Sequence, residues 1–141
     1  MQNHSPTKIL VVDDEPQLQR LFQQRFRSHI RNAEFELSFA LSGMEALEML
    51  RQDAGIDIIL SDINMPEMDG LTFISKLDEI NPMLKTVMVS AYGNMQNIRS
   101  AMNHGAYDFV TKPIDFADLE ATIKKAIKEI ELLKLAAQTK Q

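Results

Sequence analysis

Short apolar runs alternate with longer amphipathic segments along the chain. The short runs are rich in Val, Ile, Leu and Phe, and they have the length and composition of buried parallel strands. These predicted strands are Lys8–Val12, Phe35–Ala40, Ile56–Leu60, Lys85–Ser90 and Asp108–Thr111.

The segments between the strands carry apolar residues at helical spacing. Pro16 suits the first turn of a helix, and Ser42 with Glu45 forms a capping box at the start of another. Gly105 is expected to end the fourth helix, and Asp115 to cap the fifth. The predicted helices run from Pro16 to Ser28, from Ser42 onward, through Leu71–Leu77, from Met95 to Asn103 and from Asp115 onward.

This alternation predicts an α/β fold, with a parallel sheet covered by helices on both faces and right-handed crossovers. A chain of 141 residues is long enough for one such domain. Ligands of these sheets bind beyond the carboxyl ends of the strands. The residues at those ends are therefore the candidates for function.

Polar side chains follow four of the five predicted strands. Asp13 and Asp14 end the first strand, Asp62 follows the third, Ser90 ends the fourth and Lys112 follows the fifth. A single polar residue after a strand is ordinary. The convergence of all of them on one edge predicts a site.

The chemistry of the candidate residues favours a hard cation and a phosphoryl group. Two carboxylates about 4 Å apart repel by roughly 4 kcal/mol at an effective dielectric constant of 20. If the strand order brings the first and third strands together, the three aspartates therefore either raise their pKa values or recruit a cation. The chain has no cysteine, and we expect its histidines (His4, His29 and His104) to be solvated. Oxygen ligands favour Mg²⁺ or Mn²⁺ over zinc. Lys112 and the Ser90 hydroxyl would then face phosphoryl oxygens.

Charge and hydropathy narrow the class of protein. The net charge of −5 argues against a nucleic-acid surface, which needs clustered Lys and Arg. No apolar run approaches the roughly 20 residues of a membrane span, and the amino terminus lacks a secretory signal. With no cysteine to form disulfides, a cytoplasmic location is expected.

Four motifs, in order and at matching spacings, connect the chain to a known family: VVDDEP, SDINMPEMDG, VMVSAYG and GAYDFVTKP. Over residues 8–128 the sequence resembles the receiver domain of two-component response regulators. The resemblance implies a flavodoxin-like, doubly wound sheet of five parallel strands in the order 2-1-3-4-5, with five helices of which the last is extended.

The resemblance also implies roles for the matching residues. Asp62 would accept a phosphoryl group from a sensor histidine kinase, a phosphotransfer protein or a small donor such as acetyl phosphate. Asp13, Asp14, Asp62 and the backbone carbonyl of Asn64 would hold Mg²⁺. A protein with these roles would be a signalling domain of a phosphorelay that promotes only its own phosphorylation and dephosphorylation, rather than an enzyme.

The family further implies a switch. Lys112 and Ser90 would contact the phosphoryl group, and Phe109 would move inward as Ser90 turns. The change would alter the surface of the fourth helix, fifth strand and fifth helix, which would bind a partner or a second copy of the chain. A cis peptide bond is implied before Pro113.

The last predicted helix continues past the point where a compact domain would end it. Its apolar repeat consists of Phe116, Leu119, Ile123, Ala126, Ile130, Leu133 and Ala137. We expect residues 1–7 to be a flexible amino terminus, 8–128 to be the receiver domain, and 129–141 to be a helical extension. The extension would link to an output domain or form a dimer.

Three alternative functions remain open to test. A phosphatase of the haloacid dehalogenase type also forms an aspartyl phosphate, but it wants a second aspartate where this chain has Asn64. A flavin carrier would need glycine and hydroxyl groups in the first loop, where DDEPQ would repel a phosphate. A plain Mg²⁺-binding module would leave Lys112 and Ser90 without a role.

Overall fold

The computed structural model describes residues 5–63, 68, 70–91 and 95–139. These residues form five strands and six helices. The strands are β1 (Thr7–Val12), β2 (Phe35–Ala40), β3 (Ile58–Asp62), β4 (Lys85–Ala91) and β5 (Asp108–Lys112). The helices are α1 (Gln17–Arg25), α2 (Arg27–Arg31), α3 (Gly43–Gln52), α4 (Gly70–Ile80), α5 (Met95–Asn103) and α6 (Phe116–Thr139).

The strands form one parallel sheet in the order β2-β1-β3-β4-β5, which is the flavodoxin-like arrangement. Successive residues of a strand point to opposite faces, so β1 supplies two cores. Ile9 and Val11 pack with residues of α1 and α6 on one face. Leu10 and Val12 pack with residues of α3 and α4 on the other. The resulting two-sided burial explains why the strands are almost continuously apolar.

The first helical segment differs from its prediction. It divides at Phe26, whose backbone leaves the helical region at φ −107° and ψ 22°, and the described part of the chain therefore has six helices instead of five. The Phe26 ring is buried and lies 5.6 Å from the ring of Phe35 and 5.8 Å from that of Phe116. We attribute the break to this packing, which draws the backbone toward the sheet.

The expectation of a solvated side chain is wrong for His29. Its ring stacks on Phe35 with centroids 4.6 Å apart, and its Nε2 lies 3.2 Å from a carboxylate oxygen of Glu120 on α6. The break at Phe26 places α2 over this aromatic cluster. His104 is exposed, as expected, whereas His4 lies outside the described residues.

The helix boundaries follow the predicted capping signals. The Ser42 hydroxyl accepts a hydrogen bond from the Glu45 N–H at 3.1 Å, and the Glu45 carboxylate accepts one from the Leu41 N–H at 2.6 Å. Gly105 adopts φ +106° just after α5, a conformation that glycine takes without strain. Asp115 accepts hydrogen bonds from two N–H groups of the first turn of α6.

Helix α6 is continuous for 24 residues. Its first half covers the sheet with three fully buried side chains, Leu119, Ile123 and Ala126. Its second half runs past the amino-terminal edge of the sheet, where Glu129 lies 3.4 Å from Lys85 and Lys134 lies 3.9 Å from Asp57. Among the described residues, no helix combines the length and the apolar character that crossing a membrane requires.

Candidate functional site

The strand register brings the predicted site residues to one edge of the sheet. Val12 pairs with Ser61, Asp62 with Val89, and Ala91 with Lys112. The residues that end β1, β3 and β5 therefore lie at similar positions along the strand direction, at the carboxyl-terminal edge of the sheet. Asp62 is the last residue of β3 itself, two residues beyond the predicted end of that strand.

Three aspartates form a compact cluster at this edge. Asp13, Asp14 and Asp62 each offer one carboxylate oxygen, and these oxygens all lie within 4.8 Å of one another. Asp13 is only 6% exposed and Asp62 only 9%, whereas Asp14 is open to solvent. The cluster therefore combines two buried carboxylates with one that is accessible to solvent.

Lys112 places one positive charge against this cluster. Its ammonium nitrogen lies 3.0 Å from Oδ2 of Asp62, 3.4 Å from Oδ2 of Asp13 and 3.7 Å from Oε1 of Glu15. One ammonium group is thus shared among three carboxylates, and Asp14 adds a fourth nearby. The site keeps an excess of negative charge that Lys112 alone does not balance.

The pKa shifts reflect this imbalance. Burial raises the pKa of Asp13, and the charge of Asp62 adds to the rise, although the Glu15 N–H and Lys112 oppose it. For Lys112 burial acts to lower the pKa, but the hydrogen bond to Asp62 and the charges of Asp62 and Asp13 outweigh it, so its pKa is raised. Lys112 is therefore firmly cationic, whereas ionised Asp13 is destabilised by its surroundings.

The donor set fits a hard divalent cation. All the clustered ligand atoms are carboxylate oxygens, which Mg²⁺ prefers. Buried like charges at this spacing are costly unless a counter-charge joins them, and a divalent ion would supply it. The remaining predicted ligand, the backbone carbonyl of Asn64, lies outside the described residues.

The predicted switch residues lie on the two neighbouring strands. Ser90 is fully buried near the end of β4, and its register partner on β5 is Thr111. Phe109 is half-buried and packs on a small cluster that includes Met88 and Ala101. The peptide bond between Lys112 and Pro113 is cis, the geometry that the resemblance implied.

Glu15 is the site residue that sequence reasoning missed. It follows the Asp13–Asp14 pair directly, yet its contact with Lys112 depends on the fold. Its N–H donates a 2.9 Å hydrogen bond to Oδ1 of Asp13, which holds the loop against the cluster. The only signal in the sequence is a third consecutive acid, a pattern that is equally common on solvated loops.

Comparisons with known proteins agree with this geometry. The family model for the response regulator receiver domain matches residues 9–124. Transcriptional regulatory protein ZraR of Escherichia coli (strain K12) is 33% identical over 124 residues, which cover 88% of this chain and 27% of ZraR. A receiver domain protein of Clostridium thermocellum superposes with a TM-score of 0.82 at 27% identity, covering 90% of this chain and 98% of that one. For NtrX of Brucella abortus the TM-score is 0.83 at 28% identity, covering 94% and 29%.

The match to ZraR concerns one part of a longer protein, because the chain spans about a quarter of the length of that relative. The structures of isolated receiver domains, in contrast, are matched almost from end to end. The family model covers most of the chain and includes every residue of the acidic cluster together with Lys112. The chain therefore belongs to the receiver domains of two-component response regulators.

Proposed function

We propose that Asp62 is the phosphoacceptor of this receiver domain, taking a phosphoryl group from a sensor histidine kinase, a phosphotransfer protein or a small donor. One observation carries the proposal. The Asp62 carboxylate is buried at the carboxyl edge of the sheet, 3.0 Å from Lys112 and in a cluster with two further aspartates.

The transfer forms one bond and breaks another. A carboxylate oxygen of Asp62 attacks phosphorus, and the bond from phosphorus to the nitrogen or oxygen of the donor breaks, with its electron pair leaving on the donor. Lys112 lies within 3.0 Å of the attacking carboxylate, so its ammonium group can also pair with the oxygens of the transferred group. Positioning and charge stabilisation account for most catalysis in such transfers.

The proposed cofactor is Mg²⁺, held by Asp13, Asp14, Asp62 and the Asn64 carbonyl. When bound, it would neutralise the charge that opposes an anionic donor approaching an anionic nucleophile. Such a counter-charge would favour the ionised form of Asp13, whose pKa burial raises. The raised pKa of Lys112 keeps it cationic for the phosphoryl group throughout the neutral range.

The proposed output is a change of surface. Ser90 would turn toward the phosphoryl group, and Phe109 would move further inward from its half-buried position. The face of α5, β5 and α6, which includes the fourth and fifth of the predicted helices, would then bind a partner or a second copy of the chain. The extension of α6 would lead to an output domain or contribute to the dimer.

The test is the intact mass of the protein after incubation with Mg²⁺ and acetyl phosphate. We expect the gain of one phosphoryl group, and its loss in Asp62→Asn or when EDTA is added. Asp57→Asn at the opposite edge of the sheet is the matched control and should label normally. Circular dichroism establishes that each variant is folded.

Labelling that survives in folded Asp62→Asn would contradict the assignment of the phosphoacceptor. Labelling that persists in EDTA would contradict the proposed role of Mg²⁺. A phosphatase of the haloacid dehalogenase type would instead turn over many equivalents of donor without retaining the group.

A further inference from the structure

Lys112 has a third carboxylate partner that the proposed function does not use. Oε1 of Glu15 lies 3.7 Å from the Lys112 ammonium nitrogen, on the open side of the cluster. The Glu15 side chain is 53% exposed, whereas those of Asp13 and Asp62 are 6% and 11% exposed. Glu15 is thus the most exposed of the three carboxylates that contact Lys112, and with Asp14 it forms the solvent-facing side of the site.

The ion pair between Glu15 and Lys112 is expected to contribute little to the stability of the fold. Lys112 already has two closer and better buried partners, and exposed pairs of this length stabilise proteins by less than about 1 kcal/mol. The loop is held by the backbone of Glu15, whose N–H bonds to Asp13, and this bond does not need the Glu15 carboxylate. The fold therefore does not require a carboxylate at position 15, and its effect on the neighbouring site can be considered separately.

We propose that Glu15 is a positioning residue that slows phosphoryl transfer from highly charged donors and so discriminates among donors by their charge. The inference rests on the proposed function of Asp62. Glu15 acts through its charge on the incoming donor and through its hold on Lys112, and it makes no bond in the reaction.

The charge balance explains the direction of the effect. The proposed cation would neutralise much of the charge on Asp13, Asp14 and Asp62, but Glu15 is not among its proposed ligands and keeps its charge. A donor that enters past Glu15 is repelled in proportion to its own charge. The same carboxylate draws Lys112 away from the phosphoryl oxygens, so both effects slow the reaction.

The experiment compares Glu15→Gln with the wild type in the presence of Mg²⁺. The rate of labelling of Asp62 is measured with acetyl phosphate, a dianion, and with phosphoramidate, which carries less net charge. We expect about a threefold faster reaction with acetyl phosphate at low ionic strength, a smaller gain with phosphoramidate, and a decline of both gains as salt screens the charges.

Two further variants isolate the cause. Glu36→Gln removes the same charge from a side chain of similar exposure, 56%, that pairs with Lys8 at the opposite edge of the sheet, and it should leave all rates unchanged. Glu15→Asp keeps the charge and should stay close to the wild type. Binding of beryllofluoride, an anionic phosphoryl mimic, followed by ¹⁹F NMR, should tighten in Glu15→Gln and not in Glu36→Gln.

Equal rates for Glu15→Gln and wild type, or an equal gain with both donors at every salt concentration, would overturn the inference. So would an equal gain in Glu36→Gln, because the effect would then be one of net charge. These outcomes differ from failure of the proposed function, in which the wild type itself would not be labelled on Asp62 by either donor.

Discussion

The two edges of the sheet use the same residue types in opposite ways. At the amino-terminal edge Lys8 pairs with Asp53 at 3.0 Å and with Glu36 at 3.9 Å, and all of these side chains are at least one third exposed. At the carboxyl-terminal edge Lys112 lies among carboxylates at similar distances, but two of them are almost fully buried. Distance alone would not tell the two clusters apart.

The pKa shifts distinguish the Lys8 cluster from the Lys112 cluster. The hydrogen bond from the Gly55 N–H, followed by that from Lys8, lowers the pKa of Asp53, and the partnership with Asp53 raises the pKa of Lys8. Both charged groups are therefore favoured at the amino edge. Burial raises the pKa of Asp13 at the other edge, so that its charge is disfavoured. A carboxylate whose charged form is destabilised by folding is a stronger sign of function than a carboxylate in a favourable ion pair.

The largest effect that this comparison predicts is on phosphoryl transfer. Lys112→Ala should slow labelling of Asp62 by about a hundredfold, because the proposed function assigns its ammonium group to the transferred phosphoryl oxygens and that charge would be lost. Lys8→Ala should leave the rate within about twofold of wild type, since its partners are exposed and lie at the other edge. Rates are measured by intact mass with acetyl phosphate and Mg²⁺.

Lys112→Arg is the control for charge at this position. Arginine keeps the charge but is larger and planar, so it should recover only part of the rate. The far-ultraviolet circular dichroism of all three variants should match that of the wild type. Equal slowing in Lys8→Ala and Lys112→Ala would mean that the two edges are not functionally distinct.

Much of the site could be predicted from the sequence because topology places it. The alternating pattern gives a parallel sheet and places Asp13, Asp62 and Lys112 at the same edge, since each follows or ends a strand there, and the strand order then decides how close they lie. The strand order came from the family resemblance, and the register then confirmed it. The boundary of β3 differed by two residues because Asp62 is held in the strand by pairing with Val89.

Other features could not be predicted because they depend on contacts between distant side chains. We attribute the break at Phe26 to packing of its ring against residues of β2 and α6, which are distant in sequence. The same packing partly buries His29, which follows the predicted end of the first helix and was expected to be solvated. The contact of Glu15 with Lys112 joins the loop after β1 to the end of β5, and no local pattern encodes it.

The second largest effect is expected on the free energy of unfolding of the metal-free protein and on its pH dependence, when Asp13 or Asp53 is replaced. The pKa of Asp13 is raised above 3.8, so its contribution to the free energy of unfolding falls as pH rises from 3.8 through the raised value. Asp13→Asn should therefore be more stable than wild type near neutral pH, because the uncharged amide avoids the cost of burying an ionised carboxylate.

The pH dependence of stability has the opposite sign for Asp53. Its pKa is lowered, so the stability that it contributes is present above 3.8 and is lost as pH falls through its lower value in the folded protein. Asp53→Asn should be less stable than wild type at neutral pH. Both differences should vanish in strong acid, where both aspartates are protonated in the folded and unfolded chains. Urea unfolding in EDTA from pH 3 to 8 measures both, and a shared sign would refute the distinction.

The smallest effect concerns the extension of α6 at the amino edge. A chain that ends at Glu131 loses the 3.9 Å Lys134–Asp57 pair, whose lysine is largely exposed, together with the exposed side chains of Leu132 and Leu135. We expect its free energy of unfolding to stay within about 0.5 kcal/mol of wild type, because such pairs contribute little.

A shorter chain that ends at Lys128 serves as the comparison for this truncation. It also loses Glu129, which lies 3.4 Å from the largely buried Lys85, and Ile130, which packs against the main core. Its loss should be larger, about 1 kcal/mol, as expected for a partly buried aliphatic side chain. Urea unfolding of the two truncated chains compares them directly. An equal loss in both would mean that Glu129 and Ile130 add nothing to the stability of the domain.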